Sequence, residues 1–564
     1  MASRIGHSKL LLNLPVFSRR LNTAASPSTT AAAATVPQAN FTGDPNPFDT
    51  KSTADDPTDL FSSTVTIRLN TAAPPFITAA VPQPNFIKIP KTPVSLDDPE
   101  ELPPVKSIDP TTAGSGGGSG GGAAVAGGEP PINLDDPREL FSSVPTSKLI
   151  KSTVTLHMAS MDSMVDMGSW VLKSGLMQNP ISKGLVLGSI KHTFYEHFCG
   201  GKDLKEADNT VKRIWDDYGL RAMLDYGMEH ALDNGSCDSN LDEFIQTIQS
   251  ATHSPTSPVS FVVVKITAIC PPSLLKRVSD LLRWEHKDKS MHLPWKRESF
   301  PIFSDSTALY HTPQMPPPLT PKEENDLDLA YKRLVKICDK SLEANLPMLI
   351  DAEDTLIQPA IDYFAYCAAI KYRRAHNIPL IFNTIQAYLK DARERLVIAK
   401  ISANKMGVPL GVKLVRGAYM SSERKLAFFV GAESPIHETI QDTHACFNSC
   451  ASFMLEEIAK GSGSLVLATH NIESGKLAAA KAVELGLEKD NENLEFAQLY
   501  GMAQALSFGL RNAGFKVSKY VPFGPVEQIM PYLLRRAEEN RGLLSTSSLD
   551  RQLMRKELVR RIIS

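Results

Sequence analysis

From residue 258 onward, short aliphatic runs alternate with longer amphipathic segments, and this alternation constrains the fold more than any other feature of the chain. FVVVKITAI (261–269), LPMLIDAE (346–353), PLIFNTIQ (379–386), GVKLVRGAY (411–419), SLVLATHN (464–471), LEFAQLYG (494–501) and VSKYVPFG (517–524) each read as a strand. Helical stretches at 355–376, 391–405, 433–460 and 473–486 separate most of them. Repeated β-α units of this size require a parallel sheet with helices outside it. Seven or eight of them predict an α/β fold, a closed (βα)8 barrel over residues 258–564. Seven strands can be named, and the eighth has no obvious place.

The preceding segment, 133–257, carries helical patterns. Asp135 or Asp136 can cap a first helix with Pro137 in its first turn, and LDEFIQTIQ at 241–249 presents one apolar face. Met and Gly are frequent from Met158 to Gly188, which reads as core filling. After the first recognisable strand, residues 271–345 interrupt the rhythm with HTPQMPPPLTP at 311–321, read as a surface loop in preference to a lid.

The front of the chain is different in kind. Of 40 prolines, 20 fall within residues 1–145. No acidic residue occurs from Met1 to Gly43, where Arg4, Lys9, Arg19 and Arg20 lie among Ser, Thr and Ala. Residues 1–40 therefore read as an organelle transit peptide, mitochondrial before chloroplast. Residues 41–132 read as a disordered, low-complexity linker: LNTAASPSTTAAAATVPQANF (21–41) recurs as LNTAAPPFITAAVPQPNF (69–86), and GSGGGSGGGAAVAGG fills 114–128. A repeat solenoid is excluded, because these copies lack an apolar face for stacking.

Composition removes several function classes. With 60 basic against 62 acidic residues, nothing favours a nucleic-acid partner. No run of about 18 apolar residues predicts a membrane span, although peripheral attachment stays open. Seven cysteines without a C-x-x-C pair fit neither a disulfide framework nor a zinc site, and no metal is expected.

Charged and polar residues stand where barrel strands should be apolar. Lys265, inside FVVVKITAI, needs an anion if buried, and Asp351 at the end of LPMLID supplies one. Gln386 ends the third of these strands, Lys413 and Arg416 sit in the fourth, and Thr469, His470 and Asn471 end the fifth. Glu495 opens the sixth, and all are expected to converge on one central pocket. His470 alone reads as a hydrogen-bonded structural histidine. Arg535 and Arg536, adjacent on a late helix one turn before Glu539, suit a bidentate grip on a carboxylate or phosphate. No G-x-S-x-G elbow supports covalent catalysis, and no G-x-G-x-x-G marks a dinucleotide fold.

In order, the motifs KITAI, IDAED, TIQAY, VKLVRGAY, ATHN, EFAQLYGM, YVPFG and YLLRRAEEN resemble the proline dehydrogenase family, with the plant branch the nearest match. The resemblance implies a distorted (βα)8 barrel that holds FAD non-covalently and oxidises L-proline to 1-pyrroline-5-carboxylate. It further implies electron transfer to a membrane quinone, on the matrix side of the mitochondrion with peripheral inner-membrane contact. By the same resemblance, Arg535, Arg536 and Lys265 hold the substrate carboxylate, and Asp351 supports Lys265 and Tyr520. Tyr520, Tyr419, Ala418, Leu414 and Leu499 match the wall of the ring pocket. Gln386, Lys413, Val415, Arg416, Gly417, Thr469, His470, Asn471 and Glu539 match cofactor-binding positions. Lys413 stands where bacterial members commonly have arginine, and Pro531 is expected to kink the final helix or delay its start. Alternatives are a hydroxyproline dehydrogenase, a non-catalytic barrel serving as proline sensor or scaffold, and a barrel flavoenzyme of folate metabolism.

Overall fold

The computed structural model describes residues 132–251, 258–374, 378–540 and 547–563. The transit peptide and nearly all of the linker expected at 1–132 lie outside these residues. Eight parallel strands close into a barrel in sequence order. They are β1 (Arg221–Tyr226), β2 (Val259–Val264), β3 (Met348–Ile350), β4 (Ile381–Gln386), β5 (Gly411–Val415), β6 (Ser464–Ala468), β7 (Leu494–Leu499) and β8 (Val517–Phe523). Strands β2 to β8 are the seven expected. The missing strand is β1, so the segment 133–257 is not wholly helical and the barrel does not begin at 258. RAMLDY hides among helices because Ala, Met and Leu favour helix and no β-branched residue marks it. Its pairing with both β2 and β8 overrides that preference, setting Met223 beside Phe261 and Tyr520.

Two cores result from the alternation of side chains along each strand. Met223, Phe261, Val263, Leu349, Phe382, Val466 and Ala497 fill the barrel lumen. The opposite faces, with Val262, Val264, Leu414 and Leu467 among them, pack against the outer helices. Polar side chains at the carboxyl ends of the strands stand above the lumen plug, the face on which such barrels carry their chemistry.

The first helix begins at Pro137 with Asp136 as its cap, its carboxylate accepting from the Arg138 N–H at 2.8 Å. The Met-rich stretch departs from its reading as core filler: Met161, Met167, Trp170, Ile181 and Leu185 are exposed, and the helix Pro180–Ile190 buries none of its residues. The interruption after β2 is also more than a surface loop. It comprises helices Pro272–Lys287 and Pro321–Glu343, the second opened by a Thr320–Glu323 capping box. Between them Phe300 and Ile302 are buried, His311 bonds Thr355 at 2.8 Å, and Thr307 donates to Asp391 at 2.6 Å. This connection therefore covers the segments that follow β3 and β4. The last barrel helix starts at Met530 with Pro531 in its first turn, where a missing N–H costs nothing, so proline delays the start and makes no kink.

Candidate active site

Lys265 follows β2 directly and is 6% exposed, so its ammonium must find acceptors within the protein. Its Nζ donates to Asp351 Oδ2 at 2.5 Å and to the Tyr520 hydroxyl at 3.1 Å. Asp225 lies 3.6 Å away and Glu229 3.9 Å. Asp351 follows β3, accepts from Lys413 through Oδ1, and accepts a hydrogen bond from the Tyr520 hydroxyl on Oδ2 at 2.7 Å. The lysines also face the Tyr520 ring, at 5.8 Å for Lys265 and 5.4 Å for Lys413. Four strands, β2, β3, β5 and β8, thus meet in one buried network.

Electrostatics follow from that geometry. Burial opposes ionisation of Asp351, but Lys265 and Lys413 outweigh it and hold the carboxyl well below its usual range. Burial likewise opposes the charge on Lys265, yet Asp225 and Asp351 raise its pKa well above the ordinary lysine value. For Asp225 burial prevails, and its carboxyl is pushed up to about 6.

The last barrel helix brings Arg535 and Arg536 to the rim. Arg535 pairs with Glu229 at 3.0 Å and lies 5.9 Å from the Tyr419 ring centre. Arg536 is 5% exposed and bonds Glu539, while its buried Nε has no partner. That unmet donor leaves the rim able to hold one more acceptor, such as a carboxylate.

A second polar group lies toward β5 and β6. Arg416 donates from Nε to His444 at 3.0 Å, and from its terminal nitrogens to Thr469 at 2.8 Å and Ser474 at 2.7 Å. It also stacks 4.2 Å from Phe447. All three partners are neutral, and burial lowers the guanidinium to about 10. A cation so placed fits an anionic group such as a phosphate. His470 accepts the Leu499 N–H on Nε2 at 3.1 Å, and burial keeps its pKa low, near 3. It is the neutral, hydrogen-bonded histidine that its sequence context implied. Gln386 donates to the Glu353 carbonyl at 2.8 Å. Gly417 has φ +130°, with the Tyr388 ring 2.4 Å from where a Cβ would stand, so only glycine fits there. Val415 ends β5 half-buried, and Ala418, exposed, and Tyr419, half-buried, continue the turn.

Three expected members stand elsewhere. Glu495 is at the amino end of β7, 3.5 Å from Arg221 and bonded to Ser518, because it opens its strand. Leu414 alternates outward beside Ile385 into the helix-facing core, the direction opposite to Lys413. Asn471 commits its side chain to the next helix, accepting from the Ser474 N–H at 2.8 Å.

Others went unread in the sequence: Asp225, Glu229, His230 and Glu353. The first three follow or end β1, the unrecognised strand. Glu353 accepts from Thr267 at 2.6 Å, and burial, reinforced by Glu229, lifts its carboxyl to about 8.

A family model described as proline dehydrogenase matches residues 207–549. Over 434 residues the chain is 57% identical to Proline dehydrogenase 1, mitochondrial, of Arabidopsis thaliana, covering 77% of this chain and 87% of that one. Against Proline dehydrogenase 2, mitochondrial, of the same plant, identity is 56%, covering 77% of this chain and 91% of the relative. Hydroxyproline dehydrogenase of Rattus norvegicus is 28% identical over 78% of this chain and 96% of its own length. In fold, the chain is similar to proline utilization A from Bdellovibrio bacteriovorus, with a TM-score of 0.50 and 20% identity over 71% of this chain and 38% of that one.

Proposed function

The chain belongs to the proline dehydrogenase family and is an oxidoreductase that oxidises proline, the first step of proline catabolism; from that premise we propose how its residues divide the work. Arg535, Arg536 and Lys265 hold the carboxylate of L-proline, and Asp351 fixes Lys265 and Tyr520. Tyr520, Tyr419, Ala418 and Leu499 wall the pyrrolidine ring. The carrying observation is the buried Lys265–Asp351–Tyr520–Lys413 network beneath an arginine pair with an unmet donor.

Glu229 takes one terminal nitrogen of Arg535, which leaves the remaining guanidinium donors for the substrate carboxylate. Positive charge around a single small carboxylate orients the ring without a protein nucleophile. FAD, when bound, supplies the acceptor for the hydride leaving the carbon beside the ring nitrogen, yielding 1-pyrroline-5-carboxylate. Gln386, Lys413, Val415, Arg416, Gly417, Thr469, His470 and Glu539 are the residues that would hold it. Arg416, a half-buried cation with only neutral partners, fits its phosphates. Asn471 would act through its helix cap, which steadies Ser474 against Arg416.

Electrons leave to a membrane quinone, and the enzyme docks on the matrix side of the inner mitochondrial membrane without crossing it. The acid-free stretch Met1–Gly43 and the mitochondrial relatives support that location. Among the described residues no helix is long and apolar enough to span a bilayer. Met167 and Trp170 lie one turn apart and exposed on the helix Asp162–Lys173, as do Ile181 and Leu185 on Pro180–Ile190, and Lys183 of the second helix pairs at 2.5 Å with Glu527, just before the helix carrying Arg535. Phe428 and Phe429, 88% and 84% exposed, extend from the helix that follows Tyr419.

The test measures turnover of L-proline with quinone-loaded anionic vesicles and, separately, with a soluble dye. Trp170→Ser with Leu185→Ser is expected to lower the vesicle rate about tenfold and leave the dye rate within twofold. Loss of both rates together would contradict the docking face, and faster turnover of 4-hydroxyproline than of proline would contradict the substrate assignment.

A further inference from the structure

Lys519 sits inside β8 and is 1% exposed. Its neighbour Tyr520 faces the Asp351 network, so strand alternation turns Lys519 the other way, toward the helices outside the barrel. There its Nζ donates to the Met502 carbonyl at 2.7 Å, which satisfies one of three protons. Among the described residues no carboxylate forms an ion pair with it. Asp550, the acid that faces it, is committed to the N–H groups of Gln504 and Ala505 at 2.8 Å and 2.9 Å.

Lys519 borders a cavity of about 20 Å³, enough for one water-sized group. Lys148 and Ser152, one turn apart on the helix Thr146–Ala159, line the same space, as do Tyr218 and Tyr500. Among the described residues Lys148 forms no ion pair, and the hydroxyls of Ser152, Tyr218 and Tyr500 form no hydrogen bond. Phe141, Leu149, Phe508 and Met554 close the space with apolar surface. His197 adds no charge, because its Nε2 is committed to the Gly501 carbonyl at 2.9 Å and burial keeps its pKa near 3. Donors without acceptors therefore surround the cavity, two of them ammonium groups. A water would need acceptors as well as donors, whereas an anion needs donors alone.

We propose that this cavity is a binding site for one small inorganic anion of halide size, held by Lys519, Lys148 and Ser152. Burial lowers the Lys519 ammonium to about 7, and an adjacent anion keeps it charged at neutral pH. The apolar walls strengthen that attraction. The site fastens the turn after β7: Lys519 holds the Met502 carbonyl between Gly501 at φ 80° and Ala503 at φ 48°, and the turn starts from Leu499 of the proposed ring wall.

The experiment follows the melting temperature of the FAD-loaded full chain as chloride replaces gluconate at constant ionic strength. Wild type is expected to gain about 3 °C more than Lys519→Met, and the gain should saturate with chloride. Methionine keeps the volume of the buried side chain without its charge, so the variant should fold. Crystals of the wild-type chain grown with sodium bromide should show an anomalous peak beside Lys519. Equal gains in wild type and Lys519→Met would overturn the proposal, and so would a cavity that holds a water and no bromide. A bromide peak without the chloride-linked gain would mark an adventitious ion only and would equally overturn it.

Discussion

Asp351→Asn is expected to reduce kcat/KM for proline at least a thousandfold and to lower the melting temperature by about 6 °C. One carboxylate answers two buried ammonium groups and a phenol: Lys265 and Tyr520 on Oδ2 and Lys413 on Oδ1. Asparagine keeps the volume but removes the charge, and its amide nitrogen would face a lysine. Breaking a buried pair by neutralising one partner costs about 3–5 kcal/mol, because the other charge stays behind. For a barrel of this size each kcal/mol moves the midpoint by about 1.5 °C. Substrate binding then suffers separately, since Lys265 loses the anchor that aims it. Thermal melts and steady-state kinetics on Asp351→Asn and on Asp351→Asn with Lys413→Met separate the two effects. The double variant removes one orphaned charge and should recover part of the melting temperature and none of the turnover.

The second large effect belongs to the arginine pair. Arg536→Met is expected to lower kcat/KM for L-proline by about 10²- to 10³-fold, mostly through KM, as truncating a desolvated carboxylate clamp does. Arg536 is buried, bonded on one side to Glu539 and unmet at Nε, so it is already oriented for an anion. Arg535→Met should cost less, because that guanidinium is 22% exposed and its removal also frees Glu229. The decisive comparison uses L-prolinamide, which keeps the ring and loses the carboxylate. Its binding should be nearly indifferent to either substitution, and equal losses for acid and amide would show that the arginines act on the fold.

Much of this arrangement was legible in the chain. Strands β2 to β8 announced themselves because buried parallel strands must be aliphatic, and that rule makes Lys265 and Lys413 conspicuous. Partnering Lys265 with Asp351 followed from the cost of burying a lone charge, and the structure joins them at 2.5 Å. The adjacent arginines were legible on their late helix, although the link of Arg535 to Glu229 was not. What escaped was governed by tertiary context. RAMLDY has helical composition and becomes a strand only because β2 and β8 flank it, so Asp225, Glu229 and His230 had no frame of reference. Leu414 was misplaced because strand alternation turns it away from Lys413, and Glu495 because opening a strand sets it at the far end of the barrel. The exposed Met-rich helices could not be separated from core by composition, since both are apolar.

The most direct test of the central claim is an anaerobic titration of the purified, FAD-loaded chain with L-proline, followed by visible absorbance. The account predicts a yellow protein whose flavin band bleaches with proline, with Asp351→Asn binding FAD and failing to bleach. A chain that takes up no FAD, or a flavin band indifferent to proline, would contradict it.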